Sequence, residues 1–523
     1  MNLTHDPPHF NLWSAPWITV ETVSGNIETV SMEHLLLNTA TYHALFDPSP
    51  LVIVSIHRLL VAVLQDILQP EDEIDLIELW ESDAFPPDRI HQFGNEYSNR
   101  FDIFSEDMPF LQSADIPLYP EKKGRGKSVG YLLQEQTAGT AVTHYNHTYD
   151  TNQILCAACC AKGLLTIPAF ASSGGAGIKP SINGVPPIYV IPGGETYYIS
   201  LVSSLVTPNF QPDIADKKND TPWWRHDYTV GKKEELLQVG YLHSLTFPAR
   251  RTRLHPEQMV QSCSRCGEMT DCGAAEMVYE MGESRPKEAA FWRDPFAAYR
   301  LKEEKAPTPI RPVEGRAVWR EFTGLFLPQE QKGTYLRPSV IGQLEALREV
   351  LSYKSTAPFP FQTIGLRTDM KMKIFEWESS GFFVPPKVLS EAKMGRIIEQ
   401  GLEFAAKCDS IIKSTFTQYF GGDGPNKRHN NLRNRLSQAY WEALAPDFNT
   451  FVLAVGQATD LNIPFHVWLD VVQNNAIRQF KVFADTVGSD AITLKERVQA
   501  ISHNRAKIYK LRKDAYPKEE QNE

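Results

Sequence analysis

The sequence has no excess of positive charge, few cysteines and no long uncharged hydrophobic run. Its 523 residues carry 53 Lys and Arg against 63 Asp and Glu, which gives a formal net charge of −10. This balance argues against a protein that coats nucleic acid by bulk attraction, because such proteins need a surplus of Lys and Arg. Any contact with nucleic acid is therefore expected to be local.

No segment meets the requirements of a secretory signal or a membrane span. The first ten residues lack a basic stretch followed by an apolar one, so we expect a cytoplasmic chain with no membrane partner. The most apolar run, Leu51 to Leu68, contains His57, Arg58 and Asp66 and falls short of the roughly 20 apolar residues that a span requires. It is interpreted as a buried amphipathic helix.

The length predicts more than one domain, since a single hydrophobic core stops growing at about 250–300 residues. Residues 1–385 mix β-rich runs, such as Tyr189 to Ile191 and Tyr197 to Val202, with helical stretches such as His34 to Phe46. This mixture predicts a large domain of the α+β class. The Pro pair within residues 381–387 (GFFVPPK) ends the preceding element and can open a helix, so the domain boundary is placed there.

Residues 386–523 are predicted to form a C-terminal four-helix bundle. Apolar residues first recur at helical spacing between 397 and 412, and three further helical runs follow at roughly 428–445, 465–487 and 494–513. From Lys387 to the end there are 19 Lys and Arg against 16 Asp and Glu, a balance of +3 that leaves −13 for the first 386 residues. The C-terminal part is therefore the basic one.

The seven cysteines include two CxxC pairs far apart in sequence, Cys156 with Cys159 and Cys263 with Cys266. Disulfides are not expected in a reducing compartment, whereas four thiolates within tetrahedral reach suit a structural Zn²⁺. A shared zinc would tie the two segments together and leave no open coordination position, which argues against a catalytic metal. The alternative is that each pair is buried separately as small apolar residues.

Two further motifs resemble catalytic signatures without satisfying them. The segment His255-Pro-Glu257 before the second CxxC resembles a zinc deaminase signature, but that class needs many more residues between its two motifs. Gly126-Lys127-Ser128 ends like a phosphate-binding loop, yet Glu121 stands where the first glycine belongs, so it is interpreted as a solvated basic loop. No hydrolase motif rises above chance, and the chain is expected not to be an enzyme.

Several segments, in collinear order over most of the chain, resemble the CasA large-subunit family of the type I-E CRISPR surveillance complex, Cascade. Both CxxC segments fit the pattern of that family, CAACCAKGLL as a knuckle that opens a helix and SCSRCGE as the second knuckle. The other matching segments are Phe10 to Ile18 (FNLWSAPWI), Arg100 to Phe104 (RFDIF), Pro109 to Gln112 (PFLQ), Phe291 to Pro295 (FWRDP) and Ile364 to Asp369 (IGLRTD).

The resemblance implies a non-catalytic task in antiviral defence. The large subunit of such a complex lies beside the CRISPR RNA, reads the short protospacer-adjacent motif in double-stranded target DNA, helps to open the duplex and recruits a helicase-nuclease. RNA base pairing then reads the remaining sequence, as in other RNA-guided systems. The implied partners are CRISPR RNA with the other Cascade subunits, duplex DNA and the helicase-nuclease.

The resemblance also implies two DNA-contacting sites. A glycine loop corresponds to residues 173–179, where Gly174, Gly175, Ala176 and Gly177 would allow the backbone close to a base edge and Lys179 could hold a phosphate. A strand-separating wedge corresponds to residues 368–371, with Asp369, Met370 and Lys371. The family's glutamine-type wedge residue is absent here, and Met370 could serve as an apolar wedge.

A third site implied by the resemblance is a basic finger just before the second knuckle, which would reach the minor groove. Gln261 and Ser262 occupy that position, so Arg265 or the run 250–253 (RRTR) would have to substitute, although that run could equally be a solvated strand edge. Basic residues on the last predicted helix form either a nucleic-acid groove or an ordinary solvated face; they are Lys495, Arg497, Arg505, Lys507, Lys510, Arg512 and Lys513.

Two other functions compete with this interpretation. A hydrolase with a hidden site is disfavoured by the lack of motifs, and a zinc-stapled scaffold that binds only proteins remains open. Binding of duplex DNA, with and without partner subunits, separates these possibilities.

Overall fold

The computed structural model describes residues 8–119, 126–135, 153–172, 177–213, 220–226, 229–258, 260–303, 305–328, 334–347, 357–368, 374–421, 427–487 and 491–515. The chain divides into two compact units. The first unit comprises Met1–Pro312, Gly333–Leu351 and Pro360–Gly381, and the helical unit comprises Val313–Lys332, Ser352–Phe359 and Phe382–Glu523. Residues 313–332, which the sequence-based division places in the first domain, thus belong to the helical unit.

The described strands are short and form several small sheets. They are β1 (Ile18–Thr22), β2 (Ile27–Val30), β3 (Tyr42–Leu45), β4 (Lys127–Ser128), β5 (Leu155–Cys156), β6 (Tyr189–Pro192), β7 (Arg250–Glu257), β8 (Gln261–Ser262), β9 (Met269–Thr270), β10 (Gly273–Met281), β11 (Tyr299–Lys302), β12 (Lys305–Pro309), β13 (Tyr335–Leu336), β14 (Phe359–Thr368) and β15 (Ile374–Val384). The sheet orders are β2-β1-β3, β4-β10-β5 with β7 also on β10, β12-β11-β13, β15-β14-β6 and β8-β9.

The antiparallel ladder between β7 and β10 organises the region around the cysteines. It runs from the Arg250–Met281 pair to the Glu257–Gly273 pair, and β5 joins β10 through Gly273 and Cys156. A Cβ at Gly273 would lie 2.3 Å from the Leu155 carbonyl oxygen, so only glycine permits this close pairing. The ladder therefore holds the first knuckle at a fixed place on the sheet.

Nine described helices precede residue 347. They are α1 (Met32–Leu37), α2 (Pro50–Leu68), α3 (Glu73–Ser82), α4 (Pro87–Tyr97), α5 (Ala157–Phe170), α6 (Tyr197–Val202), α7 (Tyr241–Leu245), α8 (Phe322–Phe326) and α9 (Ser339–Ala346), of which α8 belongs to the helical unit.

Helix α2 is the core helix of the first unit. Within the described residues it is the one helix long and apolar enough to cross a membrane, but 17 of its 19 residues are buried inside the protein. The predicted buried helix is confirmed, but it is buried on all sides rather than amphipathic, because its polar residues such as His57 and Arg58 are buried as well. The Arg58 guanidinium makes a bidentate contact with Asp294 at 3.0 and 2.9 Å, and His57 Nε2 lies 2.8 Å from Ser204 Oγ.

The structure corrects three other predictions made from the sequence. Tyr197 to Val202 forms helix α6 rather than a strand, because the Thr196 side chain caps it by accepting from the Ile199 amide. In the stretch His34 to Phe46 the α-helix ends at Leu37, and a single 3-10 turn follows at Thr39–Thr41; Tyr42–Leu45 then pairs with β1 as strand β3. Lys127–Ser128 is strand β4 on β10 rather than a solvated loop.

The helical unit contains the C-terminal helices that the sequence predicts. They are α10 (Pro386–Ser390), α11 (Ala392–Phe420), α12 (Lys427–Gln457), α13 (Asn462–Ala484) and α14 (Ala491–Ala515). Helix α12 continues through Pro446, where the sequence-based helix ends. Helices α11 to α14 pack against one another as a bundle, and Ile398, Cys408 and Ile412 of the predicted apolar stripe are buried in it.

Aromatic side chains fill the centre of this bundle. The rings of Phe451 and Trp468 stack with centroids 5.1 Å apart and an interplanar angle of 7°. Trp468 Nε1 also donates to the Gly401 carbonyl oxygen at 3.0 Å. A Cβ at Gly401 would lie 2.8 Å from the Trp468 ring, so glycine is what allows the indole to reach the α11 backbone.

Candidate metal centre and nucleic-acid interface

The two CxxC pairs meet in the first unit. Cys156 ends β5 and is the N-cap of α5, Cys159 lies in the first turn of α5, and Cys263 and Cys266 lie in the turn between β8 and β9. The four Sγ atoms lie within 4.8 Å of one another, and Cys156 Sγ is 3.8 Å from Cys266 Sγ. The cysteines are free thiols. The expected convergence of the two pairs is confirmed.

Backbone amides and thiols donate hydrogen bonds to sulfur within this cluster. The Cys159 amide donates to Cys156 Sγ at 3.5 Å, and the Cys156 amide donates to Cys263 Sγ at 3.3 Å. The thiols of Cys156 and Cys159 also donate to Cys263, which holds the pKa of the Cys263 thiol far below its ordinary value, while hydrogen bonds with Cys156 and Cys263 raise the pKa of the Cys159 thiol. Such donors stabilise thiolate, the form that binds metal.

An ion-pair network ties the two knuckles to a third segment. Asp47 is buried and pairs with Arg265 of the second knuckle, with Nη2 2.5 Å from Oδ1, and with Lys162 of α5, with Nζ 3.0 Å from Oδ2. Arg265 Nε also lies 2.8 Å from Glu135 Oε1. Burial raises the pKa of Asp47, but the hydrogen bond from Arg265 and the charges of Lys162 and Arg265 outweigh it and hold that pKa below its ordinary value. Asp47 is therefore ionised although it is buried, and it joins helix α5 to the second knuckle.

These contacts decide what Arg265 can do. Its side chain is 11% exposed and paired with two carboxylates. Reaching a DNA groove would break both ion pairs and leave Asp47 buried with one partner fewer, which is unfavourable. These ion pairs give Arg265 a structural role at the second knuckle, and a contact of Arg265 with DNA stays a prediction.

The arginine run on β7 is not a solvated strand edge. Arg250 and Arg253 are each 1% exposed. Arg251 makes a bidentate pair with Asp115 at 2.8 and 2.7 Å, and Arg253 Nη2 donates to the Glu106 carbonyl oxygen at 3.1 Å. All three side chains are engaged inside the protein, so the run offers no free cations to a phosphate.

The glycine loop is described in part. Gly174, Gly175 and Ala176 lie outside the described residues. Gly177 has φ +83°, a conformation that favours glycine, and a Cβ there would meet only the Lys233 Nζ at 3.8 Å. Lys179 forms an ion pair with Glu235, and both side chains are about half exposed. The position after the loop thus carries an accessible cation that is held by a carboxylate.

The predicted wedge falls, in the sequence, between β14 and β15. Asp369, Met370 and Lys371 lie outside the described residues. On the flanking strands, Arg367 pairs with Glu376 and lies over the Phe375 ring, with its Cζ 4.7 Å from the centroid. Phe375 and Trp377 are 45% and 40% exposed. Sequence reasoning missed these two aromatic residues, and their alternation along β15 was the available signal.

The cations of α14 divide into two groups. Arg512 pairs with Asp470 at 3.2 Å, and Arg497 donates to the Asp485 carbonyl oxygen at 3.2 Å. The other five are Lys507, which is half-buried, and the exposed Lys495, Arg505, Lys510 and Lys513. Two of the seven basic residues therefore stabilise the bundle.

The fold corresponds to that of Cse1 proteins. The crystal structure of Cse1 from Acidimicrobium ferrooxidans matches with a TM-score of 0.80 at 20% identity, covering 98% of this chain and 100% of that one. Thermus thermophilus CasA (Cse1) matches with a TM-score of 0.77 at 23% identity, covering 96% and 99%. A chain of a structure described as a CRISPR RNA-guided surveillance complex matches with a TM-score of 0.72 at 16% identity, covering 96% and 100%.

Sequence comparison goes beyond the fold. The family model of CRISPR-associated protein Cse1 matches residues 11–479. CRISPR-associated protein CasA/Cse1 of Thermus thermophilus is 27% identical over 517 residues, covering 94% of this chain and 95% of that protein. The chain belongs to the Cse1 (CasA) family, as its motifs indicated.

Proposed function

We propose that this chain is the non-catalytic large subunit of a type I-E CRISPR RNA-guided surveillance complex, Cascade, and acts in antiviral defence in the cytoplasm. The observation that carries the proposal is the Cse1 family match over residues 11–479. The likeness in fold to a chain of a surveillance complex supports it. The proposed partners are CRISPR RNA with the other Cascade subunits, double-stranded target DNA and a helicase-nuclease.

The proposed task in the first unit is to read the protospacer-adjacent motif. Base pairing with the guide reads the target sequence, so the protein needs to read only a short duplex motif. We assign this reading to Gly174, Gly175, Ala176 and Gly177, with Lys179 on a phosphate. The left-handed conformation of Gly177 and the exposure of Lys179 support the assignment.

The hairpin between β14 and β15 is the proposed site of strand opening. We assign strand opening to Asp369, Met370 and Lys371, which follow β14 in the sequence, because an apolar residue can insert between base steps. Exposed Phe375 and Trp377 on the adjoining strand support this role, because aromatic rings stack on unpaired bases without regard to sequence.

The proposed cofactor is one structural Zn²⁺ on Cys156, Cys159, Cys263 and Cys266. In a tetrahedral site with Zn–S distances of about 2.3 Å, neighbouring sulfurs lie about 3.8 Å apart. The Cys156–Cys266 sulfur separation of 3.8 Å fits this value, and no Sγ pair exceeds 4.8 Å. With four sulfur ligands the ion would fasten α5 to the β8–β9 hairpin and activate no water.

A second candidate, a zinc-stapled scaffold that binds only proteins, is favoured by one observation. Arg250, Arg251, Arg253 and Arg265 all contact groups within the protein. A scaffold of this kind would assemble with its partners but would be indifferent to DNA.

The deciding experiment uses Gly177→Asp in the complex assembled with its guide RNA. Asp adds bulk and a negative charge against phosphate, and losing one close base contact typically costs about 1–3 kcal/mol, roughly 5- to 150-fold in affinity. We expect duplex binding to fall by that factor, as measured by electrophoretic shift at matched salt. Assembly and binding of the complementary single strand should not change, because neither requires motif reading.

Gly25→Asp is the matched control. Gly25 also has a positive φ, +85°, and a Cβ there would have no neighbour within 4 Å, so the variant reports the backbone strain alone. If Gly177→Asp binds duplex DNA as well as Gly25→Asp does, or loses single strands equally, the loop does not read the motif. A wild-type complex that is indifferent to duplex DNA would favour the scaffold.

A further inference from the structure

The ends of the glycine loop meet at one buried side chain. Arg250, on β7, donates from Nη1 to the Lys179 carbonyl oxygen at 2.8 Å and from Nη2 to the Ser172 carbonyl oxygen. Ser172 immediately precedes the loop, and Lys179 is its last residue. Because the two amino groups belong to one rigid, planar guanidinium, they hold the two carbonyl groups at a fixed separation.

Two other contacts hold the segments that flank the loop. The Ser181 amide donates to the Ala171 carbonyl oxygen at 2.8 Å, which closes the base of the loop. On the exit side, the Lys179 amide contacts Met281 Sδ at 3.1 Å. Within the described residues, Arg250 is the side chain that donates hydrogen bonds to the carbonyl groups of both Ser172 and Lys179.

The Arg250 guanidinium is buried, and all of its hydrogen bonds in the described part of the chain are to backbone carbonyl groups. The residue is 1% exposed, and its Nη1 also donates to the Ala249 carbonyl oxygen at 2.8 Å. Its Cζ lies 5.7 Å from the centre of the Tyr279 ring. Among the described residues no carboxylate forms an ion pair with it, so its charge is balanced by carbonyl dipoles and a ring. A buried charge without a counter-ion destabilises the folded state unless its hydrogen bonds to the carbonyl groups are maintained.

We propose that Arg250 is a positioning residue that fixes the two ends of the glycine loop, so that motif reading depends on a guanidinium that itself touches no DNA. This inference rests on the motif-reading function proposed for the loop. In general, a short segment has fewer accessible conformations when its ends are held than when they are free. Holding the ends reduces the conformational freedom lost on binding, which favours binding in the reading conformation.

The test compares Arg250→Lys with Arg253→Lys. Lysine keeps the charge at position 250, but a single ammonium cannot hold both carbonyl groups as a planar fork does. Arg253 is equally buried on the same strand and contacts Glu106 instead of the loop, so Arg253→Lys reports the general effect of losing a buried guanidinium. Thermal unfolding of both variants establishes that they fold.

Two measurements follow on the assembled complex. Hydrogen exchange of the peptide spanning residues 171–181 should accelerate in Arg250→Lys and not in Arg253→Lys. The second measurement uses two duplexes, one with the motif that the wild-type complex selects from a randomised flank and one with that motif scrambled. The ratio of the two affinities should fall by about 5- to 150-fold in Arg250→Lys and stay unchanged in Arg253→Lys. Binding of the complementary single strand should stay unchanged.

Each outcome decides a specific part of the proposal. Unchanged exchange in Arg250→Lys overturns the anchoring role. Faster exchange with an unchanged affinity ratio, while Gly177→Asp still loses duplex DNA, shows that the loop reads the motif without the anchor and also overturns it. If Arg250→Met lowers the ratio and Arg250→Lys does not, charge rather than positioning is responsible, which overturns the proposal too. Faster exchange in Arg250→Lys when Gly177→Asp binds duplex normally supports the anchor and removes only the motif-reading function.

Discussion

The two units stabilise their buried charges in different ways. In the first unit, Arg58 pairs with Asp294 and Asp47 with Arg265, residues 236 and 218 positions apart in sequence. In the helical unit, the buried carboxylate of Asp409 pairs with Lys413, one helical turn away, and accepts from Ser437 Oγ at 2.7 Å. The buried ion pairs of the first unit thus join distant segments, whereas the buried carboxylate of Asp409 in the helical unit forms its ion pair within one helix.

This difference has a consequence for stability. A buried ion pair that joins distant segments leaves an unpaired charge when one partner is removed, which typically costs about 3–5 kcal/mol. A pair one helical turn apart with an exposed partner contributes about 0.3–0.5 kcal/mol, because the solvent screens it. The first unit should therefore be the more sensitive to loss of a single polar group.

The largest effect is expected at the four-cysteine cluster. Cys263→Ser removes one of four sulfur ligands, and structural zinc contributes apparent binding energies of about 10–16 kcal/mol in small domains. Wild-type protein purified without added metal should contain about one equivalent of zinc per chain, because the four sulfur ligands bind one ion. The variant should contain less zinc and unfold at a lower temperature, as measured by elemental analysis and calorimetry.

Cys272→Ser is the control for this prediction, since Cys272 lies beside β9 but outside the cluster. It should keep the zinc content of wild type. A wild-type protein that is free of metal and as stable as the zinc-loaded one would contradict the proposed centre.

The comparison between the units is tested most directly by Arg58→Met and Lys413→Met. Each removes the cationic partner of a buried aspartate, Asp294 in the first case and Asp409 in the second. We expect Arg58→Met to lower the free energy of unfolding by about 3–5 kcal/mol and Lys413→Met by less than about 1 kcal/mol. Denaturant unfolding at low and high salt measures both. Equal losses would show that the distance in sequence between partners is irrelevant.

A smaller effect is expected inside the bundle. A Cβ at Gly401 would lie 2.8 Å from Trp468 and 2.9 Å from Phe451, so Gly401→Ala should destabilise the helical unit by about 1–3 kcal/mol through overpacking. Gly395 of the same helix offers the matched control, because a Cβ there would make only ordinary contacts at 3.6 Å or more. Gly395→Ala should raise stability by about 0.4–1 kcal/mol. Thermal unfolding that gives both variants the same sign would refute this packing argument.

How far the sequence predicts this molecule depends on how local the deciding contacts are. The apolar stripe with Ile398 and Ile412 predicts α11, because helical periodicity is a property of one segment. The two CxxC pairs predict a shared cluster, because each pair is itself a local ligand motif. The strand predicted at Tyr197 to Val202 was wrong, because the Thr196 cap of helix α6 outweighed the β-preference of its aromatic residues.

The roles of the arginines could not be predicted from the sequence. Arg265 forms an ion pair with Asp47, and Arg250 donates to the carbonyl groups of Ser172 and Lys179. No local sequence pattern around these arginines indicates their partners. Arginines in the run 250–253 look like surface cations until the β7–β10 ladder directs them inward. The assignments of Gly174 to Ala176 and of Asp369 to Lys371 stay predictions, since these residues lie outside the described ones.

The smallest expected effect concerns Glu378, in the middle of β15. Burial, with a further contribution from the charge of Glu376, raises the pKa of Glu378 to about 6. Its Oε2 is buried without a hydrogen-bond partner among the described residues. Because the folded state binds this proton more tightly than the unfolded state does, the free energy of unfolding should rise as the pH falls from 7.5 through about 6 toward 5.

Glu378→Gln removes this titration. The variant should be more stable than wild type at pH 7.5 by about 1 kcal/mol or less, since the side chain is partly exposed and solvent screens its charge. The difference should shrink at pH 5, where wild type is protonated in the folded state. Denaturant unfolding at the two pH values measures it, with Glu28→Gln at an exposed position of β2 as the control for carboxyl removal. A stabilisation that is independent of pH would mean that packing, and not the buried charge, limits this hairpin.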